Sequence, residues 1–363
     1  ESFEITTQHV NQGILDEPNN SFYLIRNFWH VITGLGIMLF LATIPYRLWE
    51  KLALPLFLIS LGLLVSLFIP GIGADYGTAR SWISVGPISL QPSEFTKLTL
   101  ILYLAVWLQK REQLIQTLEQ GFFPFAILLS VTTLLVAMQP DLGSVLVIVS
   151  IAVTMFFIAG GNIVHIVVGA AASISVALPL ILSKAYIRAR FLAFIRPDDP
   201  SISETIGFQI NQALIAVGSG RFFGQGYGKS IQKFGYLPEV QSDTIFAAMG
   251  EELGFIRMLI ILTLFSTLVI RGFKAATQAP DRFGLLVAAG ISTWIGFQTV
   301  INMCVNLSLL PLTGITLPLI SYGGSSHWAL LASIGILLNI SAYSVHETVR
   351  RKKTSRVTTG IRL

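Results

Sequence analysis

Nine runs of about twenty mostly apolar residues fill this sequence, at roughly 22–46, 50–69, 92–109, 121–138, 142–160, 162–183, 254–271, 283–305 and 325–345. A run of that length crosses the ~30 Å hydrocarbon core of a bilayer as a single helix. A bilayer admits only helices and closed barrels as spanning forms. The expected fold is therefore an all-α polytopic membrane protein with about nine transmembrane helices. Composition agrees. Hydrophobic residues make up 53% of the chain and charged residues only 12%, against about 25% charged in soluble domains. Those values exclude an ordinary soluble domain and a disordered chain. The single cysteine, Cys304, excludes an intrachain disulfide framework and a Cys-based zinc site. The first run follows a polar segment and lacks the short apolar core and small-residue cleavage site of a secretory signal.

The net charge of +5 does not indicate a nucleic-acid partner, because the basic residues sit in short connectors and at the C-terminus. Arg47 and Lys51 follow the first span, and Lys110 and Arg111 the third. Arg271, Lys274 and Arg282 lie between the seventh and eighth. Arg350, Arg351, Lys352, Lys353, Arg356 and Arg362 follow the ninth. With alternating spans all of these fall on one side, which the positive-inside rule makes cytoplasmic. Residues 1–20 carry no Lys or Arg and are expected outside, and 346–363 is expected to be a basic cytoplasmic tail. The segment 184–253 then lies outside. It is too long to be an idle connector. Residues 206–217 have apolar residues at helical spacing, as a short interfacial helix would.

Ionisable groups near the spans are the informative ones, since burying a charge in the bilayer costs about 2.5–3.5 kcal/mol on insertion scales. Gln91-Pro92-Ser93-Glu94 begins a helix, and Glu94 and Lys97, three residues apart, share one face of it. They read either as a cap and an ion pair that eases insertion, or, with Arg80, as part of a cationic site for a phosphate. Asp141 caps the next helix or lines the same cavity. Glu239, Asp243, Glu251 and Glu252 fall within about four helical turns beside the membrane. Such carboxylates serve as caps and rim charges, or take a sugar hydroxyl's proton or hold a divalent cation. Pro311–Ser326 (PLTGITLPLISYGGSS) breaks the helix at membrane depth, which is tolerated only against protein or a cavity. No nucleotide-binding loop and no His-rich metal motif occurs; His30, His165, His327 and His346 are scattered.

The ordered series GTARSW, QPSEFTK, QPDLGS, GFQINQALIAVGSGRFFGQGYG, YLPEVQSDTIFAAMGEELG and PLTGITLPLISYGGSS resembles the SEDS family (shape, elongation, division and sporulation; the FtsW, RodA and SpoVE proteins). The resemblance runs from about residue 22 to 345. It implies one transmembrane domain over 1–345, with the large outer loop at 184–253. Family members have ten spans with both termini inside, so the family's first helix is expected upstream of Glu1. The ending GILLNIS (335–341) and GITLPLISYGGSS lean towards FtsW. Gln241-Ser242-Asp243 departs from the family's commoner His-Thr-Asp but keeps the carboxylate.

The resemblance implies a glycosyltransferase of the bacterial cytoplasmic membrane that polymerises peptidoglycan strands from lipid II at the outer face. The growing chain would pass from undecaprenyl pyrophosphate to the acceptor's C4 hydroxyl. Asp243 is the implied catalytic carboxylate, as general base or as ligand of a divalent cation (Mg or Mn). Arg80 and Lys97 are candidates for the pyrophosphate, with Glu94 orienting Lys97. Gln91, Asp141, Glu239, Glu251 and Ser321 are candidate cavity-lining residues. No organic cofactor is expected. The implied partners are lipid II, the lipid-linked glycan, membrane lipids and a class B penicillin-binding protein. A lipid II flippase and a non-catalytic scaffold for that partner are the alternative functions.

Overall fold

A computed structural model of the chain describes residues 22–70, 73–76, 79–85, 88–197, 199, 202 and 205–360. All nine expected spans are helical: α1 (Phe22–Thr43), α2 (Arg47–Ser66), α3 (Pro92–Lys110), α4 (Phe123–Ala137), α5 (Leu142–Ile158), α6 (Ile163–Leu182), α9 (Ile245–Thr277), α10 (Arg282–Asn306) and α11 (Gly324–Gly360). A π-helical turn, Leu118–Phe122, leads into α4. The long segment 184–253 contributes two shorter helices, α7 (Ala185–Ile195) and α8 (Ile206–Ser219).

On length and composition alone, six of the described helices could cross a membrane: those of α1, α2, α4 with its leading turn, α9, α10 and α11. Within α5 and α6 the qualifying apolar stretches, Leu142–Ile158 and Ile163–Ser175, are shorter. The remaining one, α3, carries Glu94, Lys97 and Lys110 along an otherwise apolar helix.

One element departs from the all-helical expectation. Residues 73–90 form a three-stranded antiparallel sheet, β1 (Gly73–Tyr76), β2 (Ala79–Val85) and β3 (Ile88–Leu90), with Ile83 opposite both Gly73 and Leu90. The strand β3 delivers the chain directly to Pro92 at the first turn of α3, where a missing N–H costs nothing.

The helices sort by what covers them. Nearly the whole of α10 is buried, including Phe283, Leu286, Val287, Ile291, Trp294 and Ile295, and α3, α5 and α11 pack around it. In contrast α1, α2, α6 and much of α9 present Leu, Ile, Val and Phe outward. That is the expected distribution where the outer solvent is lipid rather than water. At one end of the bundle the connectors are tied together. The Tyr46 hydroxyl donates to Asp281 Oδ2 at 2.6 Å and Arg47 Nε to the same oxygen at 3.2 Å. Arg282 pairs with Glu112 and also donates to the Ala159 carbonyl. The connectors whose basic residues were expected on one side therefore do meet at one side.

Candidate functional site

The opposite end of the bundle holds the candidate residues, and broken backbone organises them. The first break is in α9, where Gly254 adopts φ 72°, ψ 175°. The interruption frees carbonyls before it and amides after it. The glycine-rich loop supplies both kinds of partner: Gln225 and Gly226 N–H donate to the Glu251 and Glu252 carbonyls, and Phe255 and Ile256 N–H donate to the Arg221 and Phe222 carbonyls. The approach is so close that a Cβ on Gly254 would lie 2.1 Å from the Gly224 nitrogen.

The second break is the 311–323 segment, and a ladder of amide side chains on α10 services it. Gln298 Nε2 donates to the Thr316 carbonyl at 3.0 Å and Asn302 Nδ2 to the Ile315 carbonyl at 2.8 Å. Asn302 and Asn306 both donate to the Asp243 carbonyl at 2.9 Å. Gln298, Asn302 and Asn306 are spaced four residues apart, so they stand on one helix face. None was among the candidates read from the sequence, although three amides at that spacing in an apolar span are a legible signal.

Asp243 sits just before α9 and is fixed through its backbone by α10, while one of its carboxylate oxygens stays without a partner. The residue is part-covered, but Oδ1 is inaccessible to solvent and has no hydrogen-bond partner. Burial, and then the charge of Glu239, push the carboxyl from its ordinary 3.8 up to about 7; Arg190 and local hydrogen bonds offset only part of this. Glu239 is held in the left-handed region at φ 54° and accepts from the Ser242 hydroxyl at 2.9 Å. Side chains other than glycine keep such a conformation only when their surroundings impose it.

The remaining candidates divide into separate groups. Asp141 does cap α5, accepting from Ser144 N at 3.0 Å, and its other oxygen accepts from Gln91 Nε2 at 3.1 Å and Ser93 Oγ at 3.2 Å. The capping role weighed for Asp141 is thus observed, and its second oxygen ties the start of α3 to that of α5. Lys97 has no exposed surface; its ammonium donates to Glu94 at 2.8 Å and Gln298 at 3.0 Å and lies 5.0 Å from the Trp294 ring centre. It was expected to present its charge to a phosphate, but that charge is already matched inside the bundle. Glu251 was expected in the cavity wall. It is 2% exposed, and its oxygens accept from Ser230 Oγ, Ile231 N and Gln232 N, so it clamps the loop onto α9. Ser321, 1% exposed, accepts from Leu317 N at 2.7 Å and closes the second break. Arg80 stands on β2, and its side chain lies outside the described residues. A crevice of about 10 Å³, room for roughly one water, lies between Glu94, Gln298, Thr316 and His327.

The helix α7 packs at this end, where Ala189, Leu192 and Ala193 share an apolar cluster with Leu312. Burial raises the Tyr186 phenol above its ordinary value, with Arg190 opposing and the Asp141 charge adding to it, so Tyr186 lies within reach of both fields. Among the described residues no three His, Cys, Asp or Glu side chains gather as a protein-only cation cage requires.

A helical bundle of spans with outward apolar faces, broken at one end beside a part-covered carboxylate, defines a polytopic membrane protein. The family model described as a cell cycle protein, FtsW/RodA/SpoVE, matches residues 5–346, and the chain belongs to that family. Stage V sporulation protein E of Bacillus subtilis (strain 168) is 44% identical over 86% of both chains. A probable peptidoglycan glycosyltransferase FtsW of Trichlorobacter lovleyi is 40% identical over 94% of this chain and 90% of its own. Among solved structures, a chain of a peptidoglycan synthase complex that coordinates polymerization and crosslinking matches with TM-score 0.75 and 30% identity, over 90% of this chain and 91% of that one. The Thermus thermophilus rod shape determining protein RodA matches with TM-score 0.62 and 29% identity, over 86% and 87%.

Proposed function

We propose that the chain is a peptidoglycan glycosyltransferase that extends glycan strands from lipid II, with Asp243 as the general base. The observation that carries this reading is the state of the carboxylates. Glu94, Asp141, Glu239 and Glu251 have oxygens committed to protein donors, whereas Asp243 keeps a buried oxygen with no partner. A base needs that free oxygen and a pKa near the working pH, and Asp243 has both. In the reaction the acceptor C4 hydroxyl oxygen bonds to C1 of the donor chain. The C1–oxygen bond breaks, its electron pair leaves with the lipid diphosphate, and the hydroxyl proton passes to Asp243.

The family likeness and the charge distribution support a reading in which this end of the bundle faces outside the cytoplasmic membrane, where lipid II head groups stand for polymerisation. Glu94 and Lys97 serve by fixing Gln298, and through it the 316 turn, while Gln91 and Asp141 form a polar wall suited to sugar hydroxyls. In the alternative role for Asp243, its carboxylate would hold a divalent cation, Mg or Mn, together with the substrate, and the ion would supply charge neutralisation at the diphosphate. A class B penicillin-binding protein is the proposed partner, which accords with the synthase complex that the fold matches.

The test is polymerisation of labelled lipid II in liposomes containing the divalent cation and a cognate class B penicillin-binding protein. Wild type should yield polymer. Asp243→Asn should insert normally and lose at least about a hundredfold in rate. Polymer at near wild-type rate from Asp243→Asn overturns the assignment, and lipid II translocation without polymer from wild type moves the function to a flippase.

A further inference from the structure

The mechanism above leaves one half-buried cation unused. Arg190, on α7, has a guanidinium nitrogen, Nη1, that is inaccessible to solvent and has no hydrogen-bond partner. Its guanidinium carbon lies 5.9 Å from the Tyr186 ring centre. Arg190 makes no ion pair among the described residues. A guanidinium donor hidden from water without an acceptor is costly, and it persists where an incoming anion completes it.

Its surroundings say which anion. The neighbours Ala189, Leu192 and Ala193 pack in one apolar cluster with Leu312, so α7 lies against the start of the second backbone break. The next residue, Thr313, is 7% exposed, and its hydroxyl is also buried without a partner. One residue further, a Cβ on Gly314 would lie 4.0 Å from Asp243 Oδ2. A guanidinium N–H, a hydroxyl and the free oxygen of the base are thus three unsatisfied groups around one short stretch of chain. Two of them donate and carry or tolerate positive polarity, and the third accepts.

We infer that Arg190, with Thr313 beside it, is the anchor for the diphosphate of the donor lipid, holding the leaving group next to Asp243. The inference rests on the glycosyl-transfer reading and adds to it the group that receives the departing charge. As the C1–oxygen bond breaks, its electron pair settles on the diphosphate, and Arg190 donates N–H bonds to the oxygens where charge collects. The acceptor's own diphosphate lies a full disaccharide away from the hydroxyl that reacts, so the donor's diphosphate is the one next to the base. Lys97 cannot take this role in the observed arrangement, because Glu94 and Gln298 occupy its ammonium.

The test is binding, not turnover. Full-length chain in lipid nanodiscs is titrated with undecaprenyl diphosphate and, separately, undecaprenyl monophosphate, with phosphatidylglycerol as competitor. Wild type should prefer the diphosphate, and phosphatidylglycerol should not displace it. Arg190→Gln should bind the diphosphate about tenfold or more weakly and lose most of the preference for the second phosphate. Arg190→Lys should lie between, because it keeps the charge and loses the planar fork. Unchanged diphosphate affinity in Arg190→Gln overturns the inference; should that variant not fold, unchanged affinity in Arg190→Lys does so. Displacement by phosphatidylglycerol at equal concentration overturns it as well, as a general lipid-phosphate site. The two readings fail separately. Wild type that makes no polymer, but whose diphosphate binding depends on Arg190, keeps the anchor and removes the polymerase. Normal polymerisation with Arg190-independent binding does the reverse.

Discussion

Asp243 is a carboxylate whose backbone is fixed by α10 and one of whose oxygens has no partner. Its raised pKa has two consequences of opposite sign. As a base it must be ionised, so polymerisation should rise with pH up to and through about 7 and level off above it. The folded state holds a proton that the unfolded chain releases between the ordinary 3.8 and about 7, so Asp243's contribution to stability falls as pH rises through that window. Asp243→Asn should therefore melt at or above the wild-type temperature at pH 8; a clearly lower melting point would show a structural carboxylate. Glu239→Gln removes the neighbouring negative charge, lowers the Asp243 pKa and should move the acid limb of the pH–rate profile down by about one pH unit or less. An unmoved limb would place the titrating group elsewhere. The sequence singled out Asp243 through its motif. It did not reveal that Asp243 keeps a free oxygen while Asp141 and Glu251 do not, because the donors that occupy those two come from residues up to 50 positions away.

The elements were legible wherever the bilayer left one solution. An apolar run of twenty residues can only be a helix there, and all nine runs are helices. The sheet at 73–90 was not legible, since short Gly- and Pro-punctuated strands that pair only with one another leave no long periodic signal. The glycine-rich stretch at 218–228 was visible in the sequence as part of a motif, but its function as hydrogen-bond partner to a broken helix depends on Gly254, a contact at long range. Glu251→Gln should free the loop: amide exchange at Ile231 and Gln232 should accelerate, with about 1–3 kcal/mol lost locally. Unchanged exchange at both amides would remove the clamp. Between α3 and α10, Lys97→Met leaves Glu94 buried without its partner and should cost about 3–5 kcal/mol in unfolding experiments, whereas the double Glu94→Gln/Lys97→Met variant should recover much of that. A double variant no more stable than the single one would contradict a matched buried pair.

For the whole molecule, the charge asymmetry of the sequence becomes a physical end. The connectors joined through Asp281 and Arg282 form one face, and the breaks around Asp243 form the other. In a Cys304→Ser background, a cysteine replacing the 91% exposed Tyr227 should react with an impermeant thiol reagent added outside intact cells. A cysteine at the exposed Gln278 should react only after permeabilisation. Labelling of both from one side would refute the topology.

The completion of α9 by the glycine loop also bears on the order of manufacture. Residues 221–226 leave the ribosome before 251–256, so the loop is already made when its partners arrive. Until the loop folds back, the carbonyls of Glu251 and Glu252 and the amides of Phe255 and Ile256 have no protein partner at the edge of the lipid. The helix that begins just after Asp243 is thus finished only once the loop that precedes it in the chain has closed onto its break.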